Sequence, residues 1–257
     1  MMKPGCEVCG YKIVKEIVVS KKSITWECTK NGKTYVLKEE VPFGLRVYDG
    51  RQNCQDFFLF YESLKKEEKK YFLIPIESFT DKQKSFSVWE HHGRDLFEII
   101  ASGDIDTMDR KKLICEILTA VNILHEKKKV HLDLKPENIL VNDIGEVKII
   151  DYECFTDDGK TRKDIMGGRT ATYMSPESFE GMVDRCADVW SIGLIIFIVY
   201  SKCQLVQEPA HAYILQKSFC KSNFYKLDED IYRVLKMVFI PFSYRATVAQ
   251  LLSIFSS

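Results

Sequence analysis

The nine residues 130–138, VHLDLKPEN, constrain this chain more than any other stretch. They are followed by two apolar, β-forming runs, 139–141 and 147–150, which flank the turn-forming residues Asn-Asp-Ile-Gly. Two short runs of this kind joined by turn residues predict a β-hairpin. The hairpin would hold Asn138 at its entrance close to Asp151 at its exit.

This arrangement suits a metal ion. An amide oxygen and a carboxylate that converge on one point are hard ligands for Mg²⁺, which takes one or two protein carboxylates together with phosphate oxygens. Asp133 lies on the approach to the hairpin as a second carboxylate that the metal does not need, and Lys135 adds a fixed positive charge. A metal, a positive clamp and a base that orients a hydroxyl are the parts that phosphoryl transfer uses.

The stretch resembles the catalytic loop of the eukaryotic protein kinases, whose pattern is H-R-D-x-x-x-x-N. His131, Asp133 and Asn138 match that pattern at the same spacing, whereas Leu132 stands where the family usually has arginine. The letters K-P-E-N are those of the Ser/Thr branch of the family.

The resemblance implies a role for each polar residue of this stretch. Asp133 would accept the proton of a substrate hydroxyl, and Lys135 would stabilise charge on the γ-phosphate of ATP. Asn138 and Asp151 would hold Mg²⁺.

The charge balance, apolar runs and cysteine content of the chain argue against several binding partners and locations. Lys and Arg together number 37, as do Asp and Glu, so no general electrostatic attraction to nucleic acid or membrane is expected. The longest apolar run, 192–200, is too short to span a bilayer, and the first residues show no secretory signal pattern. Nine cysteines without framework spacing predict reduced thiols and hence a cytoplasmic or nuclear location. Cys6 and Cys9 are compatible with a half zinc site or a redox motif, but a flexible N-terminus is favoured.

The pattern of apolar residues predicts strands first and helices later. Runs 11–19, 23–29 and 33–38 predict a three-stranded meander, and runs 71–79 and 85–89 complete a five-stranded sheet. A helix is predicted over 53–64, and a long amphipathic helix over 109–128.

These elements predict an α+β, two-lobed, protein-kinase-like fold with a small five-stranded β lobe that carries one helix and a larger, mainly helical lobe. We expect an N-terminal extension over 1–10 and a kinase domain over 11–256. Within it the N-lobe would span about 11–90 and the C-lobe about 94–256.

The resemblance also implies where ATP would bind. Lys38 follows a strand that resembles the family's V-A-I-K and would contact the α- and β-phosphates. Ile17 would contact the nucleotide, Glu90 and His92 belong to a hinge that would hydrogen-bond adenine, and Asp95 is a candidate partner for the ribose hydroxyls.

The phosphate-covering loop is the largest departure from the family. Its three glycine positions fall on Val18, Ser20 and Ser23. Glycines there let the backbone approach phosphates, so we expect a weaker or differently closed nucleotide lid. The acid that would pair with Lys38 stays open between two candidates: periodicity with Leu59 and Phe60 favours Asp56, whereas residue type favours Glu62.

Three matches to the family lie downstream of the catalytic loop. The triplet 151–153, Asp-Tyr-Glu, stands where the family has D-F-G. Its tyrosine can fill the pocket of the family's phenylalanine if the hydroxyl finds a hydrogen-bond partner. Its glutamate replaces the glycine that permits the backbone to flip, so we expect this segment to change conformation less freely. Asp188 resembles the acid that braces the catalytic loop. Arg245 matches the arginine that forms a buried ion pair with Glu177.

The stretch between these matches resembles a kinase activation segment. Residues 154–169 are rich in Asp, Gly, Lys and Thr and predict a mobile loop. Residues 170–177, TATYMSPE, resemble its end, and by that match Thr170 would hydrogen-bond Asp133 and Lys135.

The predicted function is that of a Ser/Thr protein kinase which transfers the γ-phosphate of Mg-ATP to protein hydroxyls, acting as a monomer. One alternative is a catalytically impaired pseudokinase that serves as a scaffold or decoy, which the absent glycines, Leu132 and Glu153 favour. A small-molecule phosphotransferase is a third and weaker alternative. Because Leu132 cannot gather a phosphorylated loop, we expect an enzyme that is competent without phosphorylation of its loop hydroxyls, namely Thr156, Thr161 and Ser175.

Overall fold

The computed structural model describes residues 2–20, 23–40, 51–159, 170–182, 184–201 and 227–256. They form two compact units, one containing the described residues up to 40 together with 73–92, and the other containing the rest. The first is a β-sheet and the second is mainly helical, which confirms the predicted α+β class. No helix in the described ranges combines the length and hydropathy that crossing a membrane requires.

The first unit is an antiparallel sheet of six strands in the order β1-β2-β3-β4-β6-β5. The strands are β1 (Glu7–Val8), β2 (Tyr11–Val19), β3 (Ser23–Lys30), β4 (Lys33–Glu40), β5 (Glu77–Asp81) and β6 (Lys84–Glu90). The predicted meander is confirmed. The predicted count of five is one strand short, because Glu7 and Val8 pair with Lys12 and Tyr11 at the edge of the sheet.

One face of this sheet carries its hydrophobic core. The core comprises side chains from five strands, namely Val8, Tyr11, Ile13, Trp26, Cys28, Leu37, Phe86 and Val88. The β3–β4 turn places Asn31 and Gly32 at φ of 52° and 73°, the left-handed pair that a two-residue hairpin loop requires.

The predicted strand 71–79 is wrong in its first half. Strand β5 begins only at Glu77, and among residues 71–76 Phe72 forms a single parallel bridge to Ile149 in the second unit, to which Phe72 itself belongs. Pro75 explains the difference, because proline has no N–H to donate to a strand ladder.

The second unit contains eight α-helices and five short strands within its described residues. The helices are α1 (Arg51–Ser63), α2 (Lys66–Lys69), α3 (Leu96–Ser102), α4 (Arg110–Glu126), α5 (Pro176–Phe179), α6 (Arg185–Ser201), α7 (Glu229–Val238) and α8 (Val248–Ser256). The strands are β7 (Arg94–Asp95), β8 (Lys129–Val130), β9 (Ile139–Val141), β10 (Val147–Ile149) and β11 (Thr156–Asp157). The predicted helix over 109–128 is confirmed, with Asp109 capping α4 by accepting the N–H of Lys112.

Helix α6 is the buried centre of this unit. Its residues are apolar on nearly all sides, and twelve of them are buried, which is typical of a helix surrounded by protein. Gly193 allows the close approach of α7, because a Cβ atom there would lie 2.5 Å from Val238 Cγ1.

The predicted helix of the small lobe, α1, instead groups with the second unit. Its buried side chains Phe57 and Phe60 explain this, since both contact the ring of Phe155. Leu59, which the periodicity placed toward the core, is 70% exposed, so that part of the prediction is wrong.

Candidate active site

The catalytic loop is fixed to helix α6 by one buried acid. The carboxylate of Asp188, which is fully buried, accepts the backbone N–H of His131 at 2.9 Å and that of Leu132 at 2.7 Å. A third contact joins it to His125 Nε2 at 3.1 Å. Burial alone would raise the pKa of Asp188, but the hydrogen bond and charge of His125, with further help from His131, lower it below its usual value. The predicted bracing role of Asp188 is confirmed, whereas His125 was missed.

The ring of His131 ties the loop to the β9–β10 hairpin. Its Nδ1 accepts the backbone N–H of Asp133 at 3.3 Å, and its Nε2 lies 3.1 Å from the carbonyl oxygen of Ile150. A carbonyl can only accept, so these partners assign the proton of the neutral ring to Nε2. His131 therefore holds the start of the loop and the residue before Asp151 together.

Leu132 occupies a strained but well-packed position. Its φ of 67° lies in the left-handed region, which is costly for a residue with a branched side chain. Packing and the hydrogen bond to Asp188 offset that cost, because Leu132 is buried in a cluster with Val130, Cys154 and Ala187. The position where the family usually has a charged arginine is thus part of an apolar core.

Asp133 is held by three donors. Its Oδ1 accepts the backbone N–H of Thr170 at 2.8 Å, while its Oδ2 lies 3.2 Å from Lys135 Nζ and 3.3 Å from Asn138 Nδ2. Lys135 Nζ also donates to the hydroxyl of Thr170 at 2.8 Å. The predicted contacts of Thr170 are confirmed, although Asp133 binds its N–H rather than its hydroxyl.

Lys135 sits among negative charges. Burial lowers the pKa of its ammonium group, but the carboxylates of Asp133, Asp151 and Glu137 outweigh burial and raise the pKa overall. The half-buried Glu137 behaves in the opposite way, because burial raises the pKa of its carboxyl. Lys135 therefore keeps its positive charge at neutral pH beside the two acids of the predicted chemistry.

Asn138 and Asp151 fit the donor set of a Mg²⁺ ion. The amide nitrogen of Asn138 donates to the Asp133 carbonyl at 2.8 Å, which leaves its oxygen as the acceptor on the opposite side. The Asp151 carboxylate makes no hydrogen bond or ion pair with any described residue, and its φ of 67° marks a constrained backbone. The described residues contain no group of three His, Cys, Asp or Glu side chains suited to a metal. Two protein oxygens still suffice for Mg²⁺, since phosphate oxygens and water complete its shell.

The predicted pocket for Tyr152 is present. Its buried ring stacks on Phe57 of α1 with an interplanar angle of 6°, and its hydroxyl donates to the carbonyl oxygen of Ile149. The hydroxyl thus has the partner that burial of a tyrosine requires. This contact joins helix α1 to the residue that follows Asp151.

The segment after Tyr152 corrects the prediction of a mobile loop over 154–169. Cys154 and Phe155 are buried, and Thr156 pairs with Val130 in the β8–β11 ladder. These three residues are apolar or β-forming, which the polar composition of the longer stretch concealed. Residues 160–169 lie outside the described residues.

Two of the loop hydroxyls considered as modification sites are buried. Thr156 is 3% exposed, and the hydroxyl of Ser175, 0% exposed, lies 2.7 Å from that of Ser178. Neither is accessible to a modifying enzyme in this structure. Thr161 lies outside the described residues.

The predicted ion pair between Glu177 and Arg245 is confirmed. Both side chains are buried, and the guanidinium binds both carboxylate oxygens of Glu177. Its remaining donors reach the carbonyl oxygens of Val238 at 2.9 Å, Cys186 at 2.7 Å and Ile240 at 3.1 Å. All charges of the pair are therefore met by hydrogen bonds, as a buried pair requires.

The predicted nucleotide contacts divide between the two units. In the first unit Lys38 lies on β4 opposite Thr25 and Ser87, Ile17 lies on β2 and is 45% exposed, Glu90 ends β6, and His92 follows it. Their predicted roles toward ATP stay predictions.

Asp95 belongs to the second unit and caps a helix. Its Oδ1 accepts the N–H of Glu98 at 2.8 Å at the start of α3, and burial raises the pKa of Asp95. Gly93 beside it has a φ of 99°, and a Cβ atom there would lie 2.2 Å from the carbonyl oxygen of Val141. Only glycine fits this link between the predicted hinge and the β9 strand.

The choice between Asp56 and Glu62 as partner of Lys38 stays open. Both lie on α1 in the second unit, where Asp56 is half-buried and Glu62 is exposed. Glu62 Oε2 lies 3.8 Å from Lys69 Nζ. The contact with Lys69 gives Glu62 a different partner within its own unit.

A family model for the protein kinase domain matches residues 55–252. Serine/threonine-protein kinase dkf-1 of Caenorhabditis elegans is 35% identical over 130 residues, which cover 47% of this chain and 18% of that protein. Calcium-dependent protein kinase 4 of Plasmodium falciparum (isolate 3D7) is 36% identical over 135 residues, 49% of this chain and 25% of that protein. CBL-interacting serine/threonine-protein kinase 9 of Arabidopsis thaliana is 31% identical over 156 residues, 58% of this chain and 35% of that protein. The matched part is therefore well under half the length of each relative.

Proposed function

Because this chain belongs to the protein kinase family, we propose that it transfers the γ-phosphate of Mg-ATP to serine and threonine hydroxyls of proteins. The single observation that carries the proposal is the environment of Asp133. Its carboxylate is buried, oriented by Thr170 and Asn138, and paired with Lys135. A carboxylate held in this way is suited to accept the proton of an attacking hydroxyl.

The other residues supply charge and position. Lys135, which keeps its positive charge, would stabilise the negative charge of the transferring phosphoryl group. Asn138 and Asp151 would hold Mg²⁺, which supplies neutralisation of the phosphate oxygens when bound. Lys38 is proposed to contact the α- and β-phosphates, and Asp95 the ribose.

The scaffold or decoy function remains the second candidate, and one observation favours it. The hydroxyl of Ser20, at a glycine position of the family, donates to the carbonyl oxygen of Ser23 at 3.0 Å and accepts the N–H of Ser23 at 3.0 Å. These bonds within the chain occupy the proton that the Ser20 hydroxyl could donate to a phosphate group. Retention of every polar catalytic residue argues for the enzyme.

The deciding experiment measures nucleotide binding and phosphoryl transfer together. Thermal shift with ATP, with and without Mg²⁺, is followed by transfer of labelled phosphate to a degenerate Ser/Thr peptide library. We expect a Mg²⁺-dependent stabilisation that Asp151→Asn loses, and transfer that Asp133→Asn reduces by about 10²–10⁴-fold. Asp143→Asn, in an exposed turn, is the matched control and should behave as wild type.

No stabilisation at millimolar ATP together with no transfer would overturn the kinase proposal in favour of the scaffold. Protein substrates, a monomeric state, the absence of nucleic-acid binding and a cytoplasmic or nuclear location stay predictions. The domain limits 11–256 also stay a prediction.

A further inference from the structure

The first turn of helix α6 holds two different segments. Asp188, its fourth residue, binds the backbone of the catalytic loop. Arg185, its first residue, binds the carboxylate of Asp158 twice: the backbone N–H of Arg185 donates to Oδ1 at 3.0 Å, and its Nε lies 3.0 Å from Oδ2. One helical turn is thus the common attachment point of both segments.

Asp158 is more than a surface partner of an arginine. Its side chain is 10% exposed, whereas that of Arg185 is 51% exposed. The carboxylate accepts an N–H at the N-terminus of a helix, where such donors lack intrahelical partners and negative charge is favoured. The backbone N–H of Asp158 also donates to the carbonyl oxygen of Lys128 at 2.9 Å, so backbone and side chain are both fixed.

The chain between Asp151 and Asp158 has further attachments. Cys154 packs in the apolar cluster with Leu132, and Thr156 pairs with Val130. The next residue, Asp157, forms an ion pair with Lys129. The stretch that starts at the candidate metal ligand is therefore fastened along its length to the strand and loop that lead to Asp133.

We propose that Asp158 is a positioning residue that fastens the segment beginning at Asp151 to the same turn of α6 that holds the loop of Asp133. This inference rests on the proposed function and concerns its regulation. The carboxylates of Asp133 and Asp151 are then aligned by Asp158 and by the apolar cluster around Leu132, which are all present in the unmodified chain. Phosphoryl transfer then requires no phosphate on the chain itself.

The test uses phosphatase-treated protein and two readouts. Hydrogen exchange of the amides of residues 152–158 reports the anchor directly, and steady-state kinetics report its effect on transfer. Asp158→Ala should raise exchange in this segment and lower kcat about fivefold to tenfold, with the KM for ATP nearly unchanged, because the segment that begins at Asp151 would leave its aligned position more often.

Two variants separate the parts of the contact, and a third is the control. Asp158→Asn keeps an acceptor for the N–H of Arg185 and should fall between wild type and Asp158→Ala. Arg185→Met removes the guanidinium and keeps the N–H, and should resemble Asp158→Asn. Asp143→Asn should leave exchange and kinetics unchanged. If Asp158→Ala does not fold, the two milder variants carry the test.

Unchanged exchange in residues 152–158 of Asp158→Ala would overturn the inference, as would wild-type protein that transfers phosphate only when phosphorylated. If the wild type shows no transfer at all, the proposed function fails, while the exchange measurement still decides whether Asp158 is the anchor. If transfer falls while exchange is unchanged, Asp158 does not act by positioning and the inference is wrong.

Discussion

The catalytic loop and the end of strand β2, where the resemblance places the phosphate-covering loop, are built in opposite ways. In the loop, His131 and Asp133 are buried, and both are bound by distant parts of the chain, namely Asp188 and Thr170. At the end of β2, Val18 and Val19 are more than half exposed, and the hydroxyl of Ser20 bonds Ser23, three residues away. The polar groups of the loop are embedded in the core, whereas the end of β2 is exposed to solvent.

The difference indicates how strongly each segment constrains its residues. A buried polar group without its partner costs about 1–3 kcal/mol, so few residues fit each position of the loop. Exposed positions tolerate most substitutions within about 0.5 kcal/mol, so many residues are acceptable to the fold at Val18 and Ser20, which the resemblance aligns with glycine positions.

The largest effect is expected at Asp188. Asp188→Ala would leave the buried N–H groups of His131 and Leu132 without an acceptor and His125 without its partner. We expect the free energy of unfolding to fall by about 5 kcal/mol, since each such loss costs about 1–3 kcal/mol. Chemical denaturation followed by circular dichroism measures this change.

Asp188→Asn is the matched control, because it keeps an acceptor oxygen and should lose less. The pKa of Asp188 is lowered in the folded state, so its charge stabilises the protein above about pH 4, the ordinary pKa of an aspartate. This stabilisation is lost as pH falls through the lowered pKa. The gap in stability between wild type and Asp188→Asn should therefore close in acid. A gap that widens in acid would contradict this sign.

The next effect is expected at the buried ion pair. Arg245→Ala should cost about 3–5 kcal/mol, because it strands the carboxylate of Glu177. The double variant Glu177→Leu/Arg245→Met should recover much of that loss, since neither charge remains buried. Thermal and denaturant unfolding of the single and double variants test this, and strictly additive losses would show that the pair is not coupled.

A smaller effect is expected at Tyr152. Tyr152→Phe keeps the stacking on Phe57 and removes only the hydroxyl that donates to Ile149, so we expect a loss of about 1 kcal/mol. Denaturant unfolding measures it. A loss above about 3 kcal/mol, the upper cost of one unpaired buried group, would mean that the ring itself has moved.

The smallest effect is expected at Ser20. Ser20→Ala removes the bonds between the exposed Ser20 hydroxyl and Ser23, whose N–H loses an acceptor, and should cost about 0.5 kcal/mol, the lower limit for one hydrogen bond. The same unfolding assay applies. A loss equal to that of Tyr152→Phe would show that the end of β2 is as constrained as the catalytic loop.

The catalytic loop and the residues that bind it were predictable from the sequence because their residue types and order resemble those of the protein kinases. Asp188, Thr170 and the pair Glu177–Arg245 were found by this route, and their contacts are confirmed. The meander and helix α4 were found from hydrophobic periodicity, which local burial imposes directly.

The predictions failed where distant contacts override local character. The stretch 71–76 looks like a strand by composition, yet Pro75 prevents pairing and Phe72 bridges to Ile149 instead. Thr156 lies in a polar stretch but pairs with Val130. The sequence gives one indication for His125, its place at the end of a predicted helix six residues before His131. That indication suffices only when the position of Asp188 on α6 is known, because Asp188 is the residue that His125 contacts.

The contact between His131 and Asp188 also sets an order of events during synthesis. The two residues are 57 positions apart, so the catalytic loop leaves the ribosome well before the acid that holds it exists. At about 5–20 residues per second the delay is about 3–11 s. Throughout that interval the nascent loop lacks its brace, and the geometry of Asp133 is a late product of folding, formed only when the first turn of α6 has been translated and docked.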